Sequence, residues 1–296
     1  MKAIIGKKAS LLLCGLIALG VGLVEPASAA PKKVLVVTTT TGFRHSSIPT
    51  AEQVLGELSA KSKAFTVEYA RVSPEDAQYK GADGKQDKAK VEAAIKAVLA
   101  EKMSPAALKT YDAIIFANTT GDLPLPDPQA FMDWIKSGKG FVGMHAASDT
   151  FHGFAPYIEM IGAEFKTHGP QVSVDMQNQE PQCPACQHLG ANWEVYDEIY
   201  QFKSYDQTKV HGLLSLDKHP NDKTPGHYPI SWVKSYGKGR VFYTSLGHRE
   251  DIWTPNTPAG FERKNSKEKA EAYQKHILSG IKWALGLEKW KLKGLD

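Results

Sequence analysis

Three histidines stand where a chain of this kind presents its chemistry. His45 lies in Thr40-Thr41-Gly42-Phe43-Arg44-His45-Ser46-Ser47, His145 in Gly143-Met144-His145-Ala146-Ala147-Ser148-Asp149, and His248 in Gly247-His248-Arg249. Each follows a short apolar run. Neutral imidazoles with one carboxylate suit a borderline divalent cation, zinc first among them, at about 2.0–2.2 Å per ligand. They equally suit proton transfer near neutral pH, where an imidazole needs only a small shift. There is no His-x-x-x-His or His-Glu-x-x-His. A metal would therefore take its ligands from separate strands, and spacing cannot test it.

The runs that carry these histidines read as elements of an α/β sheet. Lys33–Thr39, Phe65–Arg71, Tyr111–Asn118 and Gly140–His145 are Val- and Ile-rich or alternating segments, as strands of a parallel sheet are. Between them, Pro49–Ser59 and Ala89–Lys102 space apolar residues at helical intervals, and Asp127-Pro128 opens a third helix that ends at Gly138. Strands alternating with helices predict a doubly wound α/β fold. The second half departs from this. Val172–Gln177, Glu194–Phe202, Gly212–Leu216, Ile230–Ser235 and Arg240–Ser245 read as added strands, before a closing helix at Lys267–Leu287. Tyr236-Gly237-Lys238-Gly239 is a hairpin turn and not a dinucleotide fingerprint, since no helix opens after it.

Parallel sheets bind ligands beyond the carboxyl ends of their strands. One histidine there is more often a packing or capping residue than a ligand. Three at one edge, with Arg44, Asn118, Asp149 and Arg249 nearby, favour a polar functional site. His168, His188, Asp197 and Glu198 fall in the irregular half, where Asp197-Glu198 alone reads as a solvated strand face. His152, His211, His219, His227 and His276 stand beside turns or on a charged helix, which predicts surface positions.

Several chemistries are disfavoured. The strand-to-helix elbow carries His145 where an acyl-transfer enzyme needs Ser or Cys, and Ser148 has no partnering base. No phosphate-cradling glycine loop occurs, so no nucleotide cofactor is expected. Cys183 and Cys186 form Cys-Pro-Ala-Cys in a Pro-rich loop rather than at a helix start. This argues against a thioredoxin-like pair and favours a local disulfide over a reactive or metal-binding dithiol.

The chain has 296 residues, 42% hydrophobic and 23% charged, as an ordinary globular protein has. Lys2, Lys7 and Lys8, the apolar run Ala9–Leu23 and Ala27-Ser28-Ala29 predict a secretory signal peptide over residues 1–29. Residues 30–296 then form a single domain, periplasmic or secreted, with no membrane association after cleavage. Removing the signal lowers the net charge from +4 to +2, which gives no electrostatic case for nucleic acid or an anionic membrane. Oligomeric state leaves no signature in the sequence.

The motifs also resemble a known family. Val37–Ile48, Gly143–Thr150, Tyr157–His168, Asp197-Glu198-Ile199-Tyr200, and Ser231–Tyr243 with Leu246-Gly247-His248 are similar to ThuA-like (trehalose-utilisation) proteins, in the family's order and over nearly the whole mature chain. The resemblance implies a flavodoxin-like fold of the class I glutamine amidotransferase-like superfamily and a link to carbohydrate catabolism, including keto-sugars. It carries motif histidines onto His45, His145, His168 and His248, and an acidic-plus-aromatic pair onto Glu198 and Tyr200; a further histidine falls less securely on His188. The superfamily's cysteine does not carry over, because His145 stands there, which disfavours glutamine hydrolysis.

The expectation is thus an exported carbohydrate-processing enzyme, a hydrolase, lyase or isomerase of keto-sugars or keto-glycosides. His45, His145, Glu198 and His248 would hold a metal; His145, Asp149 and His168 would be catalytic; Arg44, Asn118, Tyr200 and Arg249 would contact a small carbohydrate. The alternative is a non-catalytic carbohydrate binder, for which Trp193, Tyr196, Tyr200, Trp232 and Trp253 could supply stacking faces. An enzyme needs the histidines and a carboxylate converging on one point; a binder needs an aromatic-lined groove.

Overall fold

The computed structural model describes residues 30–292, of which residues 31–292 belong to one compact unit. The signal-peptide expectation lies outside the described residues. The chain runs β1 (Lys32–Val37), α1 (Ile48–Ser62), β2 (Phe65–Ala70), α2 (Lys88–Lys102), α3 (Pro105–Leu108), β3 (Ala113–Ala117), α4 (Pro128–Lys136) and β4 (Gly140–Met144). It continues through α5 (Ala155–Ile161), β5 (Glu164–His168), β6 (Val172–Asn178), β7 (Asn192–Asp197), β8 (Tyr200–Lys203), β9 (His211–Lys218), β10 (Pro225–Tyr236) and β11 (Gly239–Thr244). Two helices, α6 (Glu250–Trp253) and α7 (Lys267–Ala284), complete it.

Nine strands form one sheet in the order β2-β1-β3-β4-β11-β10-β9-β6-β7. The first five are mutually parallel, in the flavodoxin-like arrangement, and the remaining four join antiparallel. The hairpin at Tyr236–Gly239 is what turns the chain from one regime to the other, because β11 returns beside β4 in parallel. A small antiparallel pair, β5 with β8, stands apart from the main sheet.

The strand residues alternate between two cores, as the period of two requires. Val34, Val36, Ile115 and Phe242 face α1 and α7, through Val54, Leu55, Ile277 and Ile281. Leu35, Val37, Ile114, Phe116 and Tyr243 face α2, α4 and α5, through Ile95, Leu99, Phe131, Ile135 and Tyr157. Helices on both faces make the sheet doubly wound. Helix starts follow local chemistry: the Asp127 carboxylate accepts from Ala130 N–H at 2.8 Å, and Pro128 occupies the first turn, where no amide donor is needed.

Three details differ from the sequence reading. The run Glu194–Phe202 is not one strand: it breaks after Asp197, and Glu198 sits at the corner between β7 and β8. His276 is fully buried on α7, its Nδ1–H donating to Ala185 O at 2.9 Å and its Nε2 3.2 Å from Ser231 Oγ, because it lies on the helix face toward β11 and not on the charged one. Cys183 and Cys186 are free thiols, buried in a turn closed by Cys186 N–H on Cys183 O at 2.8 Å. Its hydrogen bond with the Cys183 sulfur, and then burial, push the Cys186 thiol far up. Among the described residues, no helix is long and apolar enough to cross a membrane.

Candidate functional site

The loops after β1, β3, β4 and β11 meet at the carboxyl edge of the sheet, where backbone hydrogen bonds tie them together. Thr41 N–H donates to Thr120 O at 3.0 Å, Gly121 N–H to Asp149 O at 2.9 Å, and Thr120 Oγ1 to Phe43 O at 2.7 Å. Gly121 adopts φ +76°, and a Cβ there would come within 2.5 Å of Thr41 Oγ1, so only glycine allows this approach.

This seam brings His45, His145 and His248 together. Their ring centroids are 4.8, 5.2 and 5.3 Å apart, each pair edge to face. Glu198 reaches them from the β7–β8 corner, its Oε2 lying 3.6 Å from His145 Nε2 and 3.2 Å from His248 Nδ1. One donor atom from each of the four residues lies within 4.8 Å of all the others. His145 takes a left-handed backbone, φ +47°, immediately after β4. Such strain in a non-glycine residue persists only where its surroundings impose it. Here the Tyr243 hydroxyl holds the His145 carbonyl at 2.7 Å and Ser245 O meets its Nδ1 at 2.7 Å.

That last contact settles the tautomer. A carbonyl oxygen only accepts, so Nδ1 carries the proton and Nε2 presents a lone pair toward Glu198. His145 Nε2, His45 Nδ1 and His248 Nδ1 are all buried without a hydrogen-bond partner; the Glu198 contact to His248 is close but poorly aligned. Orphaned buried nitrogens are costly. Three aimed at one point beside a carboxylate fit a cation. Burial, then His248, lowers His45 to about 4, and burial with the neighbouring histidines keeps His145 well below the usual range. Burial opposes charge on His248 as well, but Glu198 outweighs it and raises the pKa.

The remaining predicted residues divide. His168 ends β5 at the exposed rim, with Nδ1 2.9 Å from Gly169 O and 3.0 Å from Glu198 Oε1. Tyr200 is buried, its ring 4.3 Å from that of His145. Asp149 stays near the rim but is bonded to His152 Nε2 at 2.7 Å, and His152 Nδ1 reaches Glu164 at 3.0 Å. Arg44 turns away from the histidines toward Glu75, 3.5 Å distant. Asn118 and Arg249 are occupied. Asn118 is fully buried, donating to Ser47 Oγ at 2.7 Å and Gly247 O at 3.0 Å, so it anchors the His248 loop and does not face a ligand. The Arg249 guanidinium is held by Asp251, Gln171 and the Glu262 carbonyl. His188 bonds Ala272 O at 2.8 Å, away from the cluster.

Asp197 was the residue that sequence reasoning misplaced. It is fully buried, and accepts from the backbone N–H groups of Gly247 at 2.8 Å, Glu198 at 3.0 Å and Arg249 at 3.2 Å. Burial raises its carboxyl to about 6 against the pull of those donors. It thus fixes Glu198 and the His248 loop with one side chain. Trp253, expected as a sugar-stacking face, is instead a buried anchor of the His248 loop: its indole N–H donates to Gly247 O at 2.9 Å. Trp193, Trp232 and Trp253 are buried in the core, so they form no open stacking groove.

A family model described as ThuA, trehalose utilisation, matches residues 33–284. The chain belongs to the ThuA family. Its fold is shared with a ThuA-like protein from Parabacteroides merdae, at 18% identity and a TM-score of 0.62, covering 90% of this chain and 95% of that one. A ThuA-like protein from Bacteroides uniformis matches at 19% identity and a TM-score of 0.60, covering 93% and 98%. No curated protein matches. His45, His145, Glu198 and His248 all lie within the matched span.

Proposed function

We propose that this ThuA-family chain is an exported, metal-assisted enzyme acting on keto-sugars or keto-glycosides. The observation that supports it is the convergence of His45, His145, Glu198 and His248, with three orphaned imidazole nitrogens buried at one point. A tetrahedral cation at about 2.0–2.2 Å from each ligand places its donors about 3.3–3.6 Å apart. The two contacts of Glu198 Oε2 within the cluster, at 3.2 and 3.6 Å, already have about that spacing, and the widest pair at 4.8 Å needs an inward turn. A bound divalent ion, zinc first, would supply a Lewis acid for a sugar carbonyl or hydroxyl.

The chain's own groups have distinct parts. The Ser245 carbonyl holds the Nδ1 proton of His145 and so leaves its Nε2 lone pair free, on the side of Glu198, where it would serve as a ligand. His168 Nδ1 lies beside two acceptors, which leaves its Nε2 as the basic nitrogen at the exposed rim, placed to take a proton next to a keto group. Asp149, already committed to His152, is the weaker candidate base. The buried ring of Tyr200 walls the site against water on the His145 side. Elimination at a keto-glycoside and isomerisation of a keto-sugar both begin with such a proton transfer, and hydrolysis results when water then adds to the elimination product.

Elemental analysis by mass spectrometry of the tag-free mature protein tests the reading. Near-stoichiometric zinc or manganese in the parent and its loss in His145→Ala are expected. Parent protein that stays metal-free after incubation with divalent cations would remove the metal-assisted mechanism. Intact-mass measurement of protein recovered from the periplasm or medium, beginning at residue 30, tests export.

A further inference from the structure

A second titratable cluster borders the site, and its central residue, His152, has no part in the chemistry above. His152 Nε2 lies 2.7 Å from Asp149 Oδ1, and its Nδ1 lies 3.0 Å from Glu164 Oε1. An ionised carboxylate only accepts hydrogen bonds, so each ring nitrogen holds a proton and the ring is an imidazolium. Glu164 is buried, and the Lys203 ammonium, on its cross-strand partner, lies 3.0 Å away. Two cations thus alternate with two carboxylates.

The chain is bent to place this ring. Phe151 and Gly153, on either side of it, take φ +56° and +74°. The Phe151 ring is buried 5.0 Å from that of Tyr157, and its N–H donates to Gly121 O at 3.3 Å. A left-handed phenylalanine persists only where its surroundings impose it.

The bonds made by His152 join two pieces of the site. Asp149 ends the turn His145–Asp149 that follows β4, and Glu164 opens β5. β5 and β8 form the ribbon outside the main sheet; it carries His168 and Tyr200, and Glu198 stands two residues before Tyr200. The apolar side of the ribbon packs through Phe202 against Trp232 and Tyr243, with ring centroids 5.2 and 5.9 Å apart. On the polar side, among the described residues, the side-chain hydrogen bonds that link ribbon to turn run through His152.

We infer that His152 is a positioning residue: its imidazolium clasps the ribbon to the His145 turn and so holds Glu198 and His168 in place against His145. This rests on the reading of those residues as ligands and base, and adds to it a support that titrates. Asp149 and Glu164 are the charged groups that face His152, while Lys203 and His168 act on those carboxylates. Burial opposes charge on His152, but the two carboxylates outweigh it and raise the ring above its usual 6.5. The clasp is therefore complete below pH 6.5 and is lost as pH rises through the raised value, when one nitrogen gives up its proton and one carboxylate its donor.

Hydrogen exchange read by mass spectrometry on the metal-free mature protein is the test. In His152→Gln, whose amide donates to one side only, the amides of residues 164–168 and 200–203 should exchange about tenfold faster than in the parent at pH 6. At pH 8.5 the two proteins should exchange alike, and β3 and β4 should be unchanged at both. His152→Arg, charged and donating to both sides at either pH, should keep the slow exchange throughout. Zinc affinity, measured by competition with a chromophoric chelator, should fall about tenfold in His152→Gln at pH 6 and not in His152→Arg. Unchanged ribbon exchange in His152→Gln at pH 6, or an acceleration equally large at pH 8.5, would overturn the clasp. A parent that binds no zinc yet shows the pH-dependent exchange difference would overturn the metal reading and leave the clasp standing.

Discussion

His145 Nδ1 lies 2.7 Å from the carbonyl oxygen of Ser245, the residue just past β11. The contact joins the ends of two neighbouring parallel strands and, by claiming the Nδ1 proton, decides which nitrogen of His145 is free. A residue at a strained backbone position is thereby oriented twice, through its carbonyl by Tyr243 and through its ring by Ser245.

Asp197 positions two of the candidate ligands without being one, and its loss should weaken metal affinity. Asp197→Ala is expected to weaken zinc about 10- to 100-fold, the usual range for a supporting carboxylate. Competition with a chromophoric chelator measures this. Unchanged affinity would mean that Glu198 and the His248 loop hold themselves in place.

Gly121→Ala strains the seam between the β1 and β3 loops, because it adds a Cβ within 2.5 Å of Thr41 Oγ1 at φ +76°. A loss of about 1–3 kcal/mol in urea unfolding is expected. Gly153→Ala, also at positive φ but with no atom within 4 Å of the added Cβ, is the control and should cost less.

His276 ties stability to pH. Burial, opposed by its bond to the Ala185 carbonyl, lowers it from 6.5 to about 4. The unfolded chain therefore takes up this proton first as pH falls. The contribution of the neutral ring is complete above pH 6.5 and is lost as pH falls toward 4, by about 3 kcal/mol at most. Urea melts of parent and His276→Gln at pH 8 and pH 5 should show a smaller acid loss in the variant. Equal losses would assign the acid sensitivity to other groups.

The buried Cys183 and Cys186 thiols should resist alkylation in the reduced native protein. In protein lacking residues 1–29, and with them Cys14, iodoacetamide at pH 8 is expected to add no label until denaturant is present, and then two. Rapid labelling of folded protein would show that the turn opens readily.

The parallel half was legible because Val- and Ile-rich runs bounded by turns report strand positions directly, and the rule of carboxyl ends then placed His45, His145 and His248 correctly. Glu198 came only through family motifs. The run Glu194–Phe202 alternates smoothly through the corner, and period-two patterning carries no mark of a chain that leaves the sheet at Asp197. The same blindness made Asp197 look solvated. Asn118 and Arg249 showed the converse difficulty: polar residues at a strand end read as ligand contacts until their partners, Gly247 O and Asp251, are known. His276 failed because the charged residues around it occupy the opposite face of α7.

The four candidate ligands span about two hundred positions, from the first strand's loop to the last. An ion held by all of them would act as a clasp between the two ends of the domain, closed only when the antiparallel strands have delivered Glu198 to the parallel edge. No fragment lacking either end could keep it. Metal retention would then report whether the chain is whole and completely folded, and saturating ion would raise resistance to unfolding and proteolysis by mass action.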